Sequence, residues 1–417
     1  MSWWLAPHAS RVIESEISIP GSKSATARAL VLSSLAEGPG SISGPLKARD
    51  TSLMVAGLRS LGATIDDTDP DMWMIHPIDG EPRQALIDCG LAGTVMRFLP
   101  PIAATGTLPA TFVGDDAASS RPMEPILTAL RQLGVTVDGD CLPFQVTGPI
   151  QSREAVINSA RSSQFISGLL LSAPRNPEGI RVSHQGSAVP SLPHIDMTVA
   201  ALKARGVEVF HKKSTWEVQP SVIRPLEEVI EPDLTTAAVF LAATLVTGGK
   251  VSVPRWPKNT TQPGAHVLNI LRQFGADVDV CDSNVTVSAT GDPFPGITID
   301  LSQTSELTPV IAGLCALAGS PSVISGVAHI RGHETDRLLA LSTQITALGG
   351  DCQETEDGLI ITPRPLVGGR FRSYADHRIA HVGALIGLRV PGVIVDDIEC
   401  TSKTMPEFPT IWKAMVL

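Results

Sequence analysis

Two kinds of helix alternate along the chain, and each kind recurs at an interval of about 70 residues. The polar-faced helices carry Arg, Lys and Gln on one side and end in a glycine before an alternating strand, as in GLRSLGATID and ILRQFGADVDV. The apolar helices are built from small hydrophobic residues on nearly all sides, as in TTAAVFLAATLVTGG and LTPVIAGLCALAG. Because a helix that is apolar on every side is buried, the pattern places the apolar helices at the centre of the fold and the polar-faced helices nearer solvent.

Glycine ends each of the first five polar-faced helices, where a residue at positive φ lets the chain turn directly into a strand. These glycines are Gly62, Gly134, Gly206, Gly275 and Gly349. The spacing predicts six α/β units and therefore two lobes of three units, with a boundary in the Pro-rich, acidic stretch at residues 221–234. We expect one lobe at residues 20–230 and the other at residues 1–19 together with 231–417.

The sixth unit ends in the helical segment PEFPTIWKAMVL with no strand after it. We expect the N-terminal residues to supply the strand that closes this unit, for instance from VIESEISIP. The second lobe would then include the beginning of the chain.

Composition excludes several classes of protein. The chain has 32 Lys plus Arg against 42 Asp plus Glu, a net charge of −10, and only 4% aromatic residues. Neither value is typical of a nucleic-acid-binding protein. The six cysteines are scattered without a CxxC pair, and there is no signal-peptide pattern or apolar run of membrane-spanning length. These features predict a cytoplasmic protein without nucleic-acid or membrane partners.

Positively charged residues near the beginnings of helices are the main chemical signal. They are Lys23, Arg28, Arg97, Arg121, Arg337, Arg378 and Lys403. A helix N-terminus carries a partial positive charge and normally attracts Asp and Glu, so cations there indicate that a ligand supplies the negative charge. Phosphate and carboxylate ligands fit this pattern. The chain has neither a P-loop nor a GxGxxG motif.

Structural interpretations of the same motifs stay open at this point. Ser162–Gln164 is also typical of a helix cap, and Arg121 of a solvated loop. The segment RGHETDR fits an exposed ion-pair cluster as well as an acid/base carboxylate, Glu334, next to a phosphate-binding Arg337. His377 and His381 have the spacing of metal ligands, but the pattern favours core histidines. A sixfold repeat also suits a binding scaffold.

Seven motifs in order resemble those of one family, 3-phosphoshikimate 1-carboxyvinyltransferase (EPSP synthase). They are PGSKSATARAL, LAGTVMRF, ASSRPM, SSQF, RGHETDRL, YADHRIA and SKTMPEF. The resemblance implies an α/β fold of two lobes, each of three βαβαββ units with buried central helices. It also implies transfer of the enolpyruvyl group from phosphoenolpyruvate to the 5-hydroxyl of shikimate 3-phosphate, by a monomer without a metal or organic cofactor. Lobe closure over the substrates and inhibition by glyphosate would follow.

The resemblance also implies roles for individual residues. The residues implied to bind shikimate 3-phosphate are Lys23, Ser24, Arg28, Ser162, Ser163, Gln164, Ser191, Glu306, His329 and His333. Those implied to bind phosphoenolpyruvate are Lys23, Gly93, Arg121, Gln164, Arg337, Arg378 and Lys403. Those implied to be catalytic are Lys23, Glu306, His333 and Glu334.

Three of these positions depart from the usual family pattern, because Glu306 replaces Asp, His329 replaces Asn and His333 replaces Lys. The alternative enzyme is UDP-N-acetylglucosamine enolpyruvyl transferase. That family has a reactive cysteine in the loop that here reads GDDAASSRPM, which contains none.

Overall fold

The computed structural model describes residues 3–417, and within them twelve α-helices recur in the predicted order. The helices are α1 (Lys23–Ser34), α2 (Arg49–Leu61), α3 (Gly93–Ala103), α4 (Glu124–Gln132), α5 (Gln164–Ser172), α6 (Pro193–Ala204), α7 (Leu234–Thr247), α8 (Val267–Gln273), α9 (Thr308–Leu317), α10 (Arg337–Ala347), α11 (His377–Gly387) and α12 (Phe408–Val416). The odd-numbered helices are the apolar ones and the even-numbered helices are the polar-faced ones.

Short strands surround the helices. They are β1 (Trp3–Leu5), β2 (Ile13–Glu16), β3 (Gly40–Ser43), β4 (Thr64–Asp66), β5 (Met72–His76), β6 (Ala85–Asp88), β7 (Ala110–Val113), β8 (Thr136–Asp138), β9 (Phe144–Thr147), β10 (Glu154–Ile157), β11 (Ile180–His184), β12 (Val209–Lys212), β13 (Thr215–Val218), β14 (Glu227–Val229), β15 (Gly249–Pro254), β16 (Asp277–Cys281), β17 (Asn284–Ala289), β18 (Thr298–Asp300), β19 (Ser322–Ser325), β20 (Asp351–Glu354), β21 (Leu359–Thr362), β22 (Arg370–Phe371) and β23 (Ile394–Asp396). Among the described residues, no helix has both the length and the apolar character needed to cross a bilayer.

The chain divides into two compact units, which we call the middle unit and the terminal unit. The middle unit is Gly21–Ile230, and the terminal unit is Glu231–Leu417 together with the residues up to Pro20. The structure therefore has Pro20 with the terminal unit, whereas the sequence-based boundary has residue 20 with the other lobe.

In the middle unit, the apolar helices α1, α3 and α5 pack on one another and form the core, as their composition predicts. Every residue of α3 is buried. Gly168 allows α5 to approach α3 closely, because a Cβ atom there would lie 2.1 Å from the carbonyl oxygen of Arg97. The helices α2, α4 and α6 cover this core.

In the terminal unit, α7, α9 and α11 pack in the same way and all residues of α11 are buried. The glycines that end the polar-faced helices have the predicted left-handed conformation, from 80° at Gly206 to 115° at Gly62. Helix periodicity therefore identified both kinds of helix correctly.

Each repeat has a small sheet in which a parallel pair of strands is extended by antiparallel pairing. In the second repeat, β6 and β7 are parallel neighbours joined through α3, and β7 pairs with β9 and β9 with β8. The other four-stranded sheets have the orders β14-β3-β5-β4, β10-β11-β13-β12, β2-β15-β17-β16 and β18-β19-β21-β20. The remaining sheet has three strands in the order β1-β23-β22.

Some strands belong to the sheet of a repeat that is distant in sequence, and this corrects the expectation for the N-terminal strand. The strand that closes the sixth repeat does come from the N-terminal residues, but it is β1, which pairs with β23. The segment VIESEISIP instead supplies β2, which lies parallel to β15 in the fourth repeat. Similarly, β14 precedes α7 in sequence but pairs with β3 of the first repeat.

Candidate active site

In the middle unit, the beginning of α1 presents Lys23 next to a carboxylate. Ser22 caps the helix by accepting a hydrogen bond from the backbone N–H of Ala25 at 3.4 Å. The Lys23 ammonium lies 3.1 Å from Asp50 Oδ2, near the beginning of α2. Asp50, which sequence reasoning did not assign to the site, therefore holds the predicted substrate-binding lysine in place.

Arg28 lies in the second turn of α1, deeper than its predicted place at the helix start. Its guanidinium donates hydrogen bonds of 2.8 Å to Thr198 Oγ1 and to the carbonyl oxygens of Ser24 and His194. It also lies 5.3 Å from the centre of the Phe98 ring. Burial lowers the pKa of Arg28 to about 9. These contacts connect α1 to α6.

Three polar side chains converge on Gly93, the first residue of α3. A Cβ atom at Gly93 would lie 2.9 Å from Arg97 Nη1, 3.0 Å from Arg121 Nη2 and 3.1 Å from Gln164 Oε1. Arg97 donates a 2.7 Å hydrogen bond to Gln164, and Arg121 donates one of 2.9 Å to the carbonyl oxygen of Leu91. Burial and then the charge of Arg121 hold the pKa of Arg97 well below its usual value. Two guanidinium groups placed together in this way favour an anion.

Replacing Gly93 with Ala is expected to raise the KM for phosphoenolpyruvate by roughly tenfold, the effect of losing about one charge-assisted hydrogen bond. The added methyl group must push Arg97, Arg121 or Gln164 away by a few tenths of an ångström. Steady-state kinetics with each substrate varied in turn measure the effect. Gly38→Ala is the control, because Gly38 has no left-handed φ and a Cβ atom there would meet only Pro225, at an ordinary contact distance of 3.7 Å. An unchanged KM for phosphoenolpyruvate would show that Gly93 does not lie beside this substrate.

Serine side chains line the beginning of α5 and the loop before α6. Ser162 Oγ accepts a 3.3 Å hydrogen bond from the backbone N–H of Gln164, the first residue of α5, whereas the N-cap residue Ser163 makes no side-chain capping bond. Ser163 and Ser191 are buried, and Ser191 has a left-handed φ of 52°. A non-glycine residue in this conformation is held there by its surroundings.

In the terminal unit, Glu306 is surrounded by predicted site residues. Its Oε2 lies 2.5 Å from Arg378 Nε and 3.0 Å from Arg337 Nη1, and its Oε1 lies 3.6 Å from His333 Nδ1. Glu306 belongs to a single turn of 3₁₀-helix, Ser305–Leu307, immediately before α9. A phosphate that binds these two guanidinium groups must share them with this carboxylate.

Asp376 organises the same cluster. It is fully buried and accepts hydrogen bonds from Arg337 Nε at 2.8 Å and Nη2 at 3.2 Å, while its Oδ1 also caps α11 at the backbone N–H of Arg378. Burial alone would lower the pKa of Arg337, but the carboxylates of Asp376, Glu306 and Glu334 outweigh it and raise that pKa. Asp376 lies in the YADHRIA motif, but the sequence alone did not indicate a role for it.

Glu334 lies between two nitrogen atoms. Its Oε1 is 2.7 Å from the Lys403 ammonium, and its Oε2 is 3.0 Å from His377 Nδ1. Because an ionised carboxylate only accepts hydrogen bonds, His377 carries a proton on Nδ1. Burial lowers the pKa of His377, although Glu334 acts in the opposite direction. His377 is buried and hydrogen-bonded, as the core-histidine interpretation predicts, and its partner is the predicted acid/base residue Glu334.

The RGHETDR segment combines both interpretations considered from the sequence. Arg331 forms partly exposed ion pairs with Asp336 and Glu354, whereas Glu334 and Arg337 belong to the inner cluster. His333 Nδ1 lies 3.1 Å from Arg337 Nη1. A guanidinium only donates, so His333 accepts at Nδ1 and carries its proton on Nε2.

His329 is positioned by Ser305, whose hydroxyl lies 2.8 Å from Nε2 of the ring. Burial lowers the pKa of His329 to about 4. His381 packs against Phe408 with ring centres 4.5 Å apart, and burial holds its pKa well below 6.5. His381 thus fits the core-histidine interpretation.

Acidification is expected to destabilise the protein because the pKa values of His329, His377 and His381 are lowered in the folded state. The unfolded chain binds protons below pH 6.5, whereas folded His329 stays neutral down to about pH 4. Each such histidine therefore costs up to about 1.4 kcal/mol of unfolding free energy per pH unit in that window. Thermal unfolding of wild type and His381→Leu from pH 7.5 to 5 measures this, and an identical pH slope for the two would contradict it.

Three potential metal ligands lie close together in the terminal unit. Oxygen and nitrogen atoms of Glu334, Asp376 and His377 lie within 4.8 Å of one another. Lys403 already neutralises Glu334 and Arg337 already neutralises Asp376. The donor set therefore behaves as part of an ion-pair network.

Similar proteins identify the fold and the family. EPSP synthase from Acinetobacter baumannii superposes with a TM-score of 0.81 at 24% identity, covering 99% of this chain and 98% of that one. The enolpyruvyl transferase NikO from Streptomyces tendae has a TM-score of 0.78 at 17% identity, covering 99% and 97%. The fold is that of the enolpyruvyl transferases, two units of repeated α/β elements with buried central helices.

The sequence comparison is more specific. The family described as EPSP synthase (3-phosphoshikimate 1-carboxyvinyltransferase) matches residues 7–412. The 3-phosphoshikimate 1-carboxyvinyltransferase of Mycobacterium ulcerans (strain Agy99) is 49% identical over 422 residues, covering 99% of this chain and 97% of that protein. The chain belongs to the EPSP synthase family, and it is an enolpyruvyl transferase.

Proposed function

We propose that the protein transfers the enolpyruvyl group of phosphoenolpyruvate to the 5-hydroxyl of shikimate 3-phosphate and releases phosphate. This reaction produces 5-enolpyruvylshikimate 3-phosphate, a precursor of chorismate and the aromatic amino acids. Family membership over nearly the whole chain supports the reaction. The observation that carries the chemistry is the position of Glu334 between Lys403 and His377, beside a cluster of two arginines.

In this proposal, shikimate 3-phosphate is bound largely by the middle unit. The binding residues there are Lys23, Ser24, Arg28, Ser162, Ser163, Gln164 and Ser191. Serine hydroxyl groups and helix N-termini are good partners for phosphate oxygens, and a lysine adds a compact positive charge. Glu306, His329 and His333 supply the further contacts to this substrate.

Phosphoenolpyruvate binds among positively charged side chains and next to Gly93, where a side chain would displace them. The proposed partners are Lys23, Gly93, Arg121, Gln164, Arg337, Arg378 and Lys403. Both substrates are highly charged, so paired cations are needed to offset their repulsion. The same cations stabilise the charge that develops on the departing phosphate, which is commonly the largest contribution to such a reaction.

Proton transfer divides the reaction into two steps. A proton added to C3 of phosphoenolpyruvate makes C2 electrophilic, and the substrate hydroxyl then attacks C2 to give a tetrahedral adduct. Loss of a C3 proton expels phosphate. We assign the C3 proton to Glu334 or Lys23, and the hydroxyl proton to Glu306 with help from His333.

His333 performs a different task from the lysine usual at this position. Its Nδ1 accepts from Arg337, so it presents an N–H donor at Nε2 as a neutral ring. We propose that it donates a hydrogen bond to shikimate 3-phosphate without adding a positive charge.

A phosphate-release assay with three reaction mixtures tests the function. Phosphoenolpyruvate is supplied with shikimate 3-phosphate, with UDP-N-acetylglucosamine, or alone. The proposal requires release only in the first mixture, together with an enolpyruvyl ether at the 5-oxygen of the product. Release in the second mixture would favour the alternative transferase, and no release in any of them would favour a phosphometabolite-binding scaffold.

The remaining expectations stay predictions. They are a monomeric, cytoplasmic enzyme without a metal or organic cofactor, without nucleic-acid or membrane partners, and sensitive to glyphosate. The small-molecule substrates are the partners that family membership implies.

A further inference from the structure

His184, the last residue of β11, links two loops of the middle unit through both of its ring nitrogen atoms. The backbone N–H of Ser159 donates to His184 Nδ1 at 3.1 Å. His184 Nε2 lies 2.7 Å from the carbonyl oxygen of Ser187. The first contact reaches the loop that leads into α5, and the second reaches the loop that leads into α6.

The two partners determine the protonation state of the ring. A backbone N–H is only a donor and a carbonyl oxygen is only an acceptor. His184 therefore accepts at Nδ1 and donates at Nε2, as a neutral imidazole with its proton on Nε2. Neither nitrogen remains for a substrate, so any role of this residue in the reaction has to be indirect.

Both linked loops end in serines assigned above to shikimate 3-phosphate. The first loop leads to Ser162 and Ser163, and the second leads to Ser191. One further contact joins the chain segments where the two loops begin. The backbone N–H of Gln185 donates to the carbonyl oxygen of Ile157 at 3.0 Å.

The hydrogen bonds of the His184 ring reach Ser159 and Ser187. These residues lie closer in sequence to the binding serines than Ile157 and Gln185 do. Ser191 has a left-handed φ of 52°, a conformation that a non-glycine residue adopts only when its surroundings hold it. The side chain of Gln164, in contrast, is held by Arg97 from α3. Loss of the link would therefore affect the serines more than Gln164.

We propose that His184 is a positioning residue that sets the separation between the Ser162–Ser163 backbone and Ser191, and thereby the affinity for shikimate 3-phosphate. This inference rests on the proposed function, because it uses the assignment of these serines to that substrate. His184 acts through the loops and touches neither substrate.

The test compares His184→Phe with His184→Asn in the full-length protein. Phenylalanine keeps a planar ring but removes both hydrogen bonds, so the KM for shikimate 3-phosphate is expected to rise about tenfold. The kcat and the KM for phosphoenolpyruvate should stay within about twofold, since Arg97 still holds Gln164. Asparagine keeps an acceptor near the position of Nδ1, and the KM should fall between wild type and the phenylalanine variant.

The matched control is His211→Asn in the same sheet. His211 also contacts a backbone carbonyl oxygen, that of Lys213, and it stacks on Trp216 in β13 with ring centres 4.6 Å apart. Its ring contacts Lys213 and Trp216 rather than either loop, so its replacement should leave the KM for shikimate 3-phosphate unchanged.

Calorimetric titration with shikimate 3-phosphate separates this inference from the function itself. An active wild type whose His184→Phe variant binds as tightly and has an unchanged KM would overturn the positioning role alone. A fall in kcat with an unchanged KM would also overturn it. A wild type that neither binds shikimate 3-phosphate nor releases phosphate would overturn both. If His184→Phe does not fold, a wild-type KM for the asparagine variant and an unchanged titration would refute the proposal, and a raised KM would support it.

Discussion

Replacing Glu334 with Gln is expected to lower kcat by about 10²- to 10⁴-fold, the usual contribution of a positioned acid/base group. The amide keeps the shape and can still accept a hydrogen bond from Lys403 or His377, which contact the two carboxylate oxygens. It cannot deliver or remove the C3 proton. The KM for shikimate 3-phosphate should change by no more than about twofold, because Glu334 is not among the groups proposed to bind it.

Steady-state and single-turnover kinetics of phosphate release measure this effect. Glu354→Gln is a suitable control, since Glu354 pairs with Arg331 of the same RGHETDR segment but lies at the outer, partly exposed end of its ion pairs. The control should keep nearly full kcat. A loss of less than tenfold for Glu334→Gln would remove Glu334 from proton transfer and leave Lys23 as the C3 acid.

Replacing Asp376 with Ala is expected to lower the free energy of unfolding by about 3–5 kcal/mol, because Arg337 would remain buried without its bidentate partner. Loss of the cap on α11 contributes roughly 1 kcal/mol of this. Activity should fall sharply as well, since Arg337 would no longer be held beside Glu306.

Urea unfolding of the single variant and of a double variant, Arg337→Met with Asp376→Leu, tests the cause. Replacing a buried ion pair with apolar residues of similar volume often changes the free energy of unfolding little. The double variant should therefore regain much of the stability that the single variant loses. It should not regain activity. A single variant as stable as wild type, or a double variant no more stable than the single, would show that the pair does not have this role.

Periodicity along the chain was sufficient to predict the helices and their layers. The nearly all-apolar pattern of α7 reflects burial on almost every side. A glycine such as Gly62 indicates a left-handed backbone conformation, because other residues rarely adopt it. These signals are local, so a single sequence carries them.

Strand partners could not be predicted in this way. The segment at β2 has an ordinary strand pattern, and nothing in it distinguishes pairing with β15 from closing the sixth repeat beside β23. The pairing of β14 with β3 joins residues that are nearly 190 positions apart. Such choices depend on the assembled units and leave no local periodic signal.

The site residues also divide into those with a local sequence signal and those whose role depends on the assembled fold. Cations at helix beginnings stand out because they oppose the helix dipole, and this made Lys23 and Arg337 visible. Asp376 does not stand out, because an aspartate at a helix N-cap is common. His184 was equally hidden, since its role depends on two backbone groups that only the folded loops bring together.

A crystal structure with shikimate 3-phosphate and a non-reactive phosphoenolpyruvate analogue would examine most directly whether these clusters bind the substrates. Our account predicts the 3-phosphate on the hydroxyl groups of Ser162, Ser163 and Ser191, and the analogue in contact with Arg121, Arg337 and Lys403. Well-occupied ligands bound elsewhere, with these side chains unchanged, would contradict it.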